Sequence, residues 1–344
     1  MNTLSCRREA RLQQALGRCA ERAPAEALRQ LVALSLDELP LPGGGATLAR
    51  WRALALVGAH DLSLAKLYEG HTDALAILQE LCAGNALATS AQPGSLWAVW
   101  AAEAPNARVQ LERDARGEPC LNGTKAWCSG AADVEHALLT AWWPDQPTQP
   151  QLIAVALRQP GVVVDAQSWQ AVGMAASASA SVRFEQVPAV LVGQPGDYLR
   201  RPGFWQGGAG VAACWHGAAV ALAQALHHAA RPDAPLRLAA LGQVDVALSG
   251  TAALMREAAA WIDAHPQADT QAVALRVRQA VEHTARRVLD EVPRALGAVP
   301  LCLDAGFARR AADLPVFIRQ SHGARDDAAL GGLLCADAEP PWMP

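Results

Sequence analysis

The chain has 344 residues, of which 51% are hydrophobic and 18% charged, with a net charge of −4. That much apolar chain builds a sizeable core in two or three domains and excludes a disordered protein. The mild acidity offers no basic footprint for nucleic acid. Eight cysteines stand apart, without a CxxC pair or regular spacing. This argues against a metal site or a disulfide framework and for a reducing, cytoplasmic setting.

Residues 1 to about 85 read as helical. The opening MNTLSCRREARLQQ is charged from residue 7 on and lacks an apolar signal core. Helical spacing covers 10–20, 24–36 and 48–59, with Leu28, Leu31, Val32 and Leu36 on one face. The run Leu39 to Gly45 (LPLPGGG) breaks the chain before the third helix. Asp61 is a candidate cap for a fourth helix running through Leu75, Leu78 and Leu81.

Near residue 85 the texture changes to short alternating apolar runs. Strands are expected at 86–89, 96–101, 109–113, 119–121, 126–129, 137–141, 152–157, 161–165 and 181–184. Turn signals separate them at Gly94, Gly117, Asn122-Gly123, Pro144–Pro150 and Pro160-Gly161. Asn122-Gly123 in particular predicts a type I′ hairpin, whose two central residues both need φ > 0. This all-β insert of about a hundred residues suits a barrel or sandwich.

After Gly196 helices return. Gly203 to Ala230 contains no Asp, Glu, Lys or Arg, but Gln206, His216, Gln224, His227 and His228 interrupt it and small residues dominate. A buried soluble helix is expected there rather than a membrane span. Further helices are expected over 236–265, 270–293 and 305–329. The fold class is therefore α+β multidomain: an N-terminal helical domain (1–85), a middle β-barrel or sandwich domain (86–196) and a C-terminal four-helix-bundle domain (197–344).

Two stretches stand out within that frame. Leu121 to Ala131 reads LNGTKAWCSGA, and Trp169 to Gly193 reads WQAVGMAASASASVRFEQVPAVLVG. Together they resemble the middle β-domain of the acyl-CoA dehydrogenase flavoprotein family, with its LNGxKxW and GMRxSxS patterns. The Leu39–Gly45 break and the run Asp61, Ser63, Leu64, Ala65, His71 fit the family's N-terminal region. His71 is left without a role. The resemblance implies FAD as cofactor. Thr89, Gly94 and Ser95 match the family's flavin loop, in which its Glu-Pro pair is here Ser90-Ala91. Trp127 matches the wall aromatic, and Ser129 keeps the hydroxyl that follows it. Arg231 and Gln243 are the nearest matches to residues that reach the flavin of a neighbouring subunit.

The resemblance also implies α,β-dehydrogenation of an acyl-CoA or acyl-carrier thioester. A carboxylate takes the α-proton, the β-hydride goes to the flavin, and electrons pass on to an acceptor such as an electron-transfer flavoprotein. The family's catalytic Glu motif is absent. Asp326 and Asp327 lie within a residue or two of its place. Some branches take the Glu from the start of the first bundle helix instead, which here is Gln206-Gly207-Gly208. Two rivals stand beside the dehydrogenase. One is a flavin monooxygenase of the same fold, hydroxylating N or S, in which His322, Ser129 and His71 would serve. The other is a non-catalytic binding or assembly subunit. A homodimer or homotetramer is expected, with neither a membrane nor a nucleic-acid partner.

Overall fold

The apolar spacing of the first eighty residues becomes four helices, α1 (Thr3–Arg18), α2 (Pro24–Ala33), α3 (Thr47–His60) and α4 (Leu62–Leu81). The structure is a computed structural model and describes residues 3–82, 94–105, 107–336 and 342–343. α2 opens on a proline, whose missing N–H is no loss in a first turn. It stops short of residue 36 because Ser35 takes a left-handed φ of 53° and the Leu36 N–H turns back to the Leu31 carbonyl.

The middle of the chain supplies β1 (Trp97–Trp100), β2 (Val109–Arg113), β3 (Pro119–Cys128), β4 (His136–Ala141), β5 (Gln151–Ala156), β6 (Val162–Asp165), β7 (Ala180–Pro188) and β8 (Val190–Val192). They form two four-stranded sheets, ordered β1-β4-β5-β8 and β2-β3-β7-β6. Among the described strands, every ladder within these sheets is antiparallel except β1 with β4. The sheets join where the backbone of Trp142 exchanges hydrogen bonds with Val109 and Leu111. The strand expected at 86–89 lies outside the described residues.

One expectation fails here. Asn122-Gly123 is no hairpin turn: the strands expected at 119–121 and 126–129 are one continuous β3, and Asn122-Gly123 lies inside it. The hairpin between β2 and β3 turns instead at Asp114–Gly117, where the Asp114 carboxylate accepts from the backbone of Arg116 and Glu118. Gly123 is needed for another reason. A Cβ there would lie 2.7 Å from the carbonyl of Arg108, the residue just before β2, so the glycine permits close approach there, while its pairing with β7 slips register.

The last third holds α5 (Asp197–Arg200), α6 (Gly203–Ala229), α7 (Pro235–Ala264), α8 (Gln271–Leu296), α9 (Val299–Leu303), α10 (Ala305–Phe317) and α11 (Ala324–Ala336). The single helix expected over 305–329 is two. A 3-10 turn at Ile318–Gln320 and Gly323, with φ 54°, break it. α8 runs through Pro293 to Leu296, beyond the expected stop at 293.

By contact the chain gathers into two units. Residues 1–39 and 63–204 form one, and residues 40–62 and 205–344 form the other. In the first, Ala74, Ile77 and Leu78 of α4 pack on Trp97, Leu138, Leu152 and Val192 of one sheet. In the second, α3 joins the bundle. α3 has no side-chain cap of its own. The Asp263 carboxylate on α7 accepts from the backbone N–H groups of Gly45 and Thr47 and from the Thr47 hydroxyl at 2.6 Å. Glycines bring α3 and α6 together: a Cβ on Gly58 would lie 2.2 Å from the Cys214 carbonyl, and one on Gly217 would lie 2.0 Å from that of Ala55. Among the described residues, two helices are long and apolar enough to cross a membrane. The apolar window of α6 is 72% buried in the bundle, whereas that of α7 is only 22% buried.

Candidate functional site

The two stretches that stand out in the sequence meet in space. Gly130, which follows β3 with φ 69°, donates its N–H to the Ser177 carbonyl at 2.9 Å. Ser177 lies in a short 3-10 turn flanked by Met174 and Ala178, both left-handed. Its hydroxyl bonds the Met174 carbonyl at 2.7 Å and the Ser179 hydroxyl at 2.8 Å. This loop borders a cavity of 190 Å³ lined by Ala132, Trp169, Ala171, Ala175 and Ser179 among others. The Trp169 indole N–H is buried without a partner.

Trp127 stands beside this junction. β3 and β7 slip register between Lys125 and Cys128, and Trp127 in the slip takes a left-handed φ of 58°. Such a backbone is uncommon for a bulky residue and costs of order 1–3 kcal/mol. Two buried anchors hold it. The Lys125 ammonium, with no exposed side-chain surface, bonds Glu103 at 3.0 Å and the Thr140 hydroxyl at 2.8 Å. Burial pulls its pKa below the usual lysine range, and Glu103 works against that shift. Cys128, fully buried, donates its thiol to the Lys125 carbonyl. Burial drives this thiol far above its ordinary pKa, so Cys128 is a small apolar anchor and no nucleophile. Between these anchors the indole of Trp127 is turned outward and is 53% exposed.

The other residues carried by the resemblance fall as follows. Ser129 is buried, with its carbonyl accepting from the Trp100 indole at 3.1 Å. Gly94 has φ 86° and open space where a Cβ would be. Gly94 and Ser95 lead into Leu96, whose N–H bonds Glu135 at 2.7 Å. Burial would raise the Glu135 pKa, but Arg29 and the Leu96 N–H outweigh it and hold the carboxyl low. Thr89 lies outside the described residues. His71 is 1% exposed and sealed in. One ring nitrogen faces Asp37 at 3.1 Å, and the other accepts from the Trp97 N–H. It is a structural link between helix and sheet.

In the second unit, Asp326 and Asp327 begin α11 but differ in setting. Asp327 is exposed. Asp326 is buried, and its carboxylate accepts from the His322 N–H at 3.0 Å and meets the His322 ring at 3.2 Å. The imidazole is 67% exposed, so the pair presents a histidine, not a carboxylate. Gln206, at the family's alternative carboxylate position, is buried against Gly43 and bonds the Pro266 carbonyl. Arg231, just past the end of α6, is exposed and donates to the carbonyls of His228 and Ala230. Gln243, also exposed, accepts from Arg287 at 2.8 Å.

The sequence reading missed Arg278 and Glu282 on α8. Both are buried, and they grip the segment just before His322. Their only local signal is a pair of charges four residues apart on an otherwise apolar helix face.

No protein-family model matches the sequence, and no curated protein sequence does. Solved structures do. Dibenzothiophene monooxygenase from a Paenibacillus species shares 20% identity over 98% of each chain, with a TM-score of 0.80. Methanesulfinate monooxygenase from Pseudomonas fluorescens shares 18% identity over 99% of this chain and 98% of its own, with a TM-score of 0.78. Butyryl-CoA dehydrogenase from Megasphaera elsdenii shares 15% identity over 97% and 99%, with a TM-score of 0.81. From end to end, this chain has the acyl-CoA dehydrogenase-like fold.

Proposed function

We propose that the protein is a flavin-dependent monooxygenase built on this fold, using a reduced flavin and oxygen to hydroxylate nitrogen or sulfur. The flavin would supply the two electrons. One oxygen atom enters the substrate and the other leaves as water with two protons. The observation that carries this reading is the His322–Asp326 pair. Where a dehydrogenase needs a free carboxylate, the Asp326 carboxylate is committed to a backbone N–H and an imidazole. An exposed imidazole steadied by a carboxylate can hold a proton and pass it on. The monooxygenases among the structural relatives support the reading, as does the Paenibacillus protein having been solved with FMN and indole.

The residues present fit a flavin. Trp127 offers a flat exposed wall in a backbone held open by two anchors, and flavin rings need such a wall. Gly94, Ser95 and Ser129 are the other residues assigned to the cofactor, whether FAD or FMN. Arg231 and Gln243 are assigned to the flavin of a second copy. Self-association is proposed through α7, which leaves Leu236, Leu238 and Val246 exposed. A cytoplasmic location is proposed with it, from the scattered spacing of the cysteines.

Asp327 keeps a second reading alive. Its exposed carboxylate, together with the likeness to butyryl-CoA dehydrogenase, leaves acyl thioester oxidation with an electron-transfer flavoprotein as acceptor. One experiment separates the two. The flavin-loaded protein is mixed anaerobically with butyryl-CoA, and in parallel the flavin is reduced and oxygen admitted. Oxygen uptake coupled to a hydroxylated amine or a sulfoxide, lowered many-fold but not to zero by His322→Ala, supports the monooxygenase. Bleaching by butyryl-CoA, abolished by Asp327→Asn, would overturn it in favour of the dehydrogenase.

A further inference from the structure

We propose that Arg278 is a positioning residue that sets where the His322 imidazole stands relative to the start of α6. The inference rests on the reading that His322 works at the reaction centre, and it adds what holds that group in place.

Arg278 is 9% exposed on α8 and sits 5.1 Å from the ring centre of the fully buried Trp215. Its two terminal nitrogens part company. One donates to the Gly208 carbonyl at 2.7 Å and the other to the Gln320 carbonyl at 2.7 Å. Gly208 lies near the start of α6, and Gln320 lies two residues before His322. One planar fork thus spans both.

The neighbours of Arg278 on α8 extend the grip. Gln279 donates to the Gly323 carbonyl at 3.2 Å. Glu282, also buried, takes Arg319 at 2.6 Å. Residues 319, 320 and 323 are therefore all held by one helix, on either side of His322, while the imidazole itself is left to Asp326. A backbone segment outside regular structure keeps a fixed place only if its polar groups are answered. Here α8 answers them. A lysine at 278 would keep the charge but, as a point donor, could not span both carbonyls.

The test uses Arg278→Lys and Arg278→Gln in the full chain. In the protein without flavin, amide hydrogen exchange at His322 and Gly323 is expected to quicken by about tenfold or more while the bundle helices stay protected. In turnover with reduced FMN, Arg278→Lys is expected to lower kcat with little change in KM. In a His322→Ala background it should lower kcat no further, because both changes remove one function. Wild-type exchange at 321–323 in a folded variant would overturn the proposal, as would a loss that multiplies on His322→Ala. Global unfolding of both variants would also overturn it, leaving Arg278 a core residue only. If His322→Ala turns over normally, the functional reading fails by itself, and the exchange result still decides what Arg278 holds.

Discussion

Single residues in this protein act through the groups they leave behind when changed. Removing Asp326 takes two acceptors from His322, so Asp326→Ala is expected to cost about 1–2 kcal/mol in denaturant unfolding. Lys125 and Glu103 are not symmetric. Glu103→Ala leaves the buried ammonium with only Thr140 to bond and is expected to cost about 1–3 kcal/mol, whereas Lys125→Met leaves only a carboxylate that already reaches solvent, at less than about 1.5 kcal/mol. His216, on α6 beside Thr251, is pushed down to about 4 by burial. Its folded pKa lies below its unfolded value of 6.5, so the unfolded chain binds the proton first as pH falls. Stability is full above pH 6.5 and drops between pH 6.5 and about 4, by roughly 3 kcal/mol for this group. Unfolding free energies across that window, compared with His216→Asn, check it. His60 and His136 are shifted the same way by burial, so the variant should flatten the slope without abolishing it.

At the level of elements, the tightest contact is α3 against α6. Gly217→Ala would drive a methyl into the Ala55 carbonyl, and since backbone cannot swing aside, a loss of about 2 kcal/mol or more is expected in thermal or denaturant unfolding. Small residues in α6 announce this closeness in the sequence, but not which helix answers it. Most of the described β-insert was legible, because alternation and turn residues are local signals, though the short β8 was not expected. Asn122-Gly123 misled because a glycine required by a neighbouring strand looks the same in sequence as one required by a turn. The site was legible in unequal parts. Trp127 could be singled out from its motif, and His322–Asp326 is a local pair. The hold of Arg278 on residues 70 and 42 positions away leaves no local trace. The fate of Asp326 depended on a break at Gly323 that helical periodicity did not reveal.

Taken whole, the chain exposes an apolar helix face that a lone copy gains nothing by keeping. The proposed self-association predicts that sedimentation of the intact protein gives more than one chain per particle. Val246→Glu, a charge placed at a 73% exposed position, is expected to shift that mass downward without lowering the melting temperature by more than a few degrees. An unchanged mass would exclude α7 as the contact.

The chain also passes between its two units at residues 39–40, 62–63 and 204–205. α3 is threaded through the first unit in sequence while belonging to the second, where Asp263 caps it and Gly58 seats it on α6. Dissection by order of sequence must therefore fail. A C-terminal fragment from residue 205 onward would lack the helix that covers Cys214 and Gly217, and would be recovered as an aggregate or a loosened bundle. Supplying residues 40–62 as a separate peptide should restore its cooperative melting, making the native protein a candidate for fragment complementation rather than for cutting at a boundary.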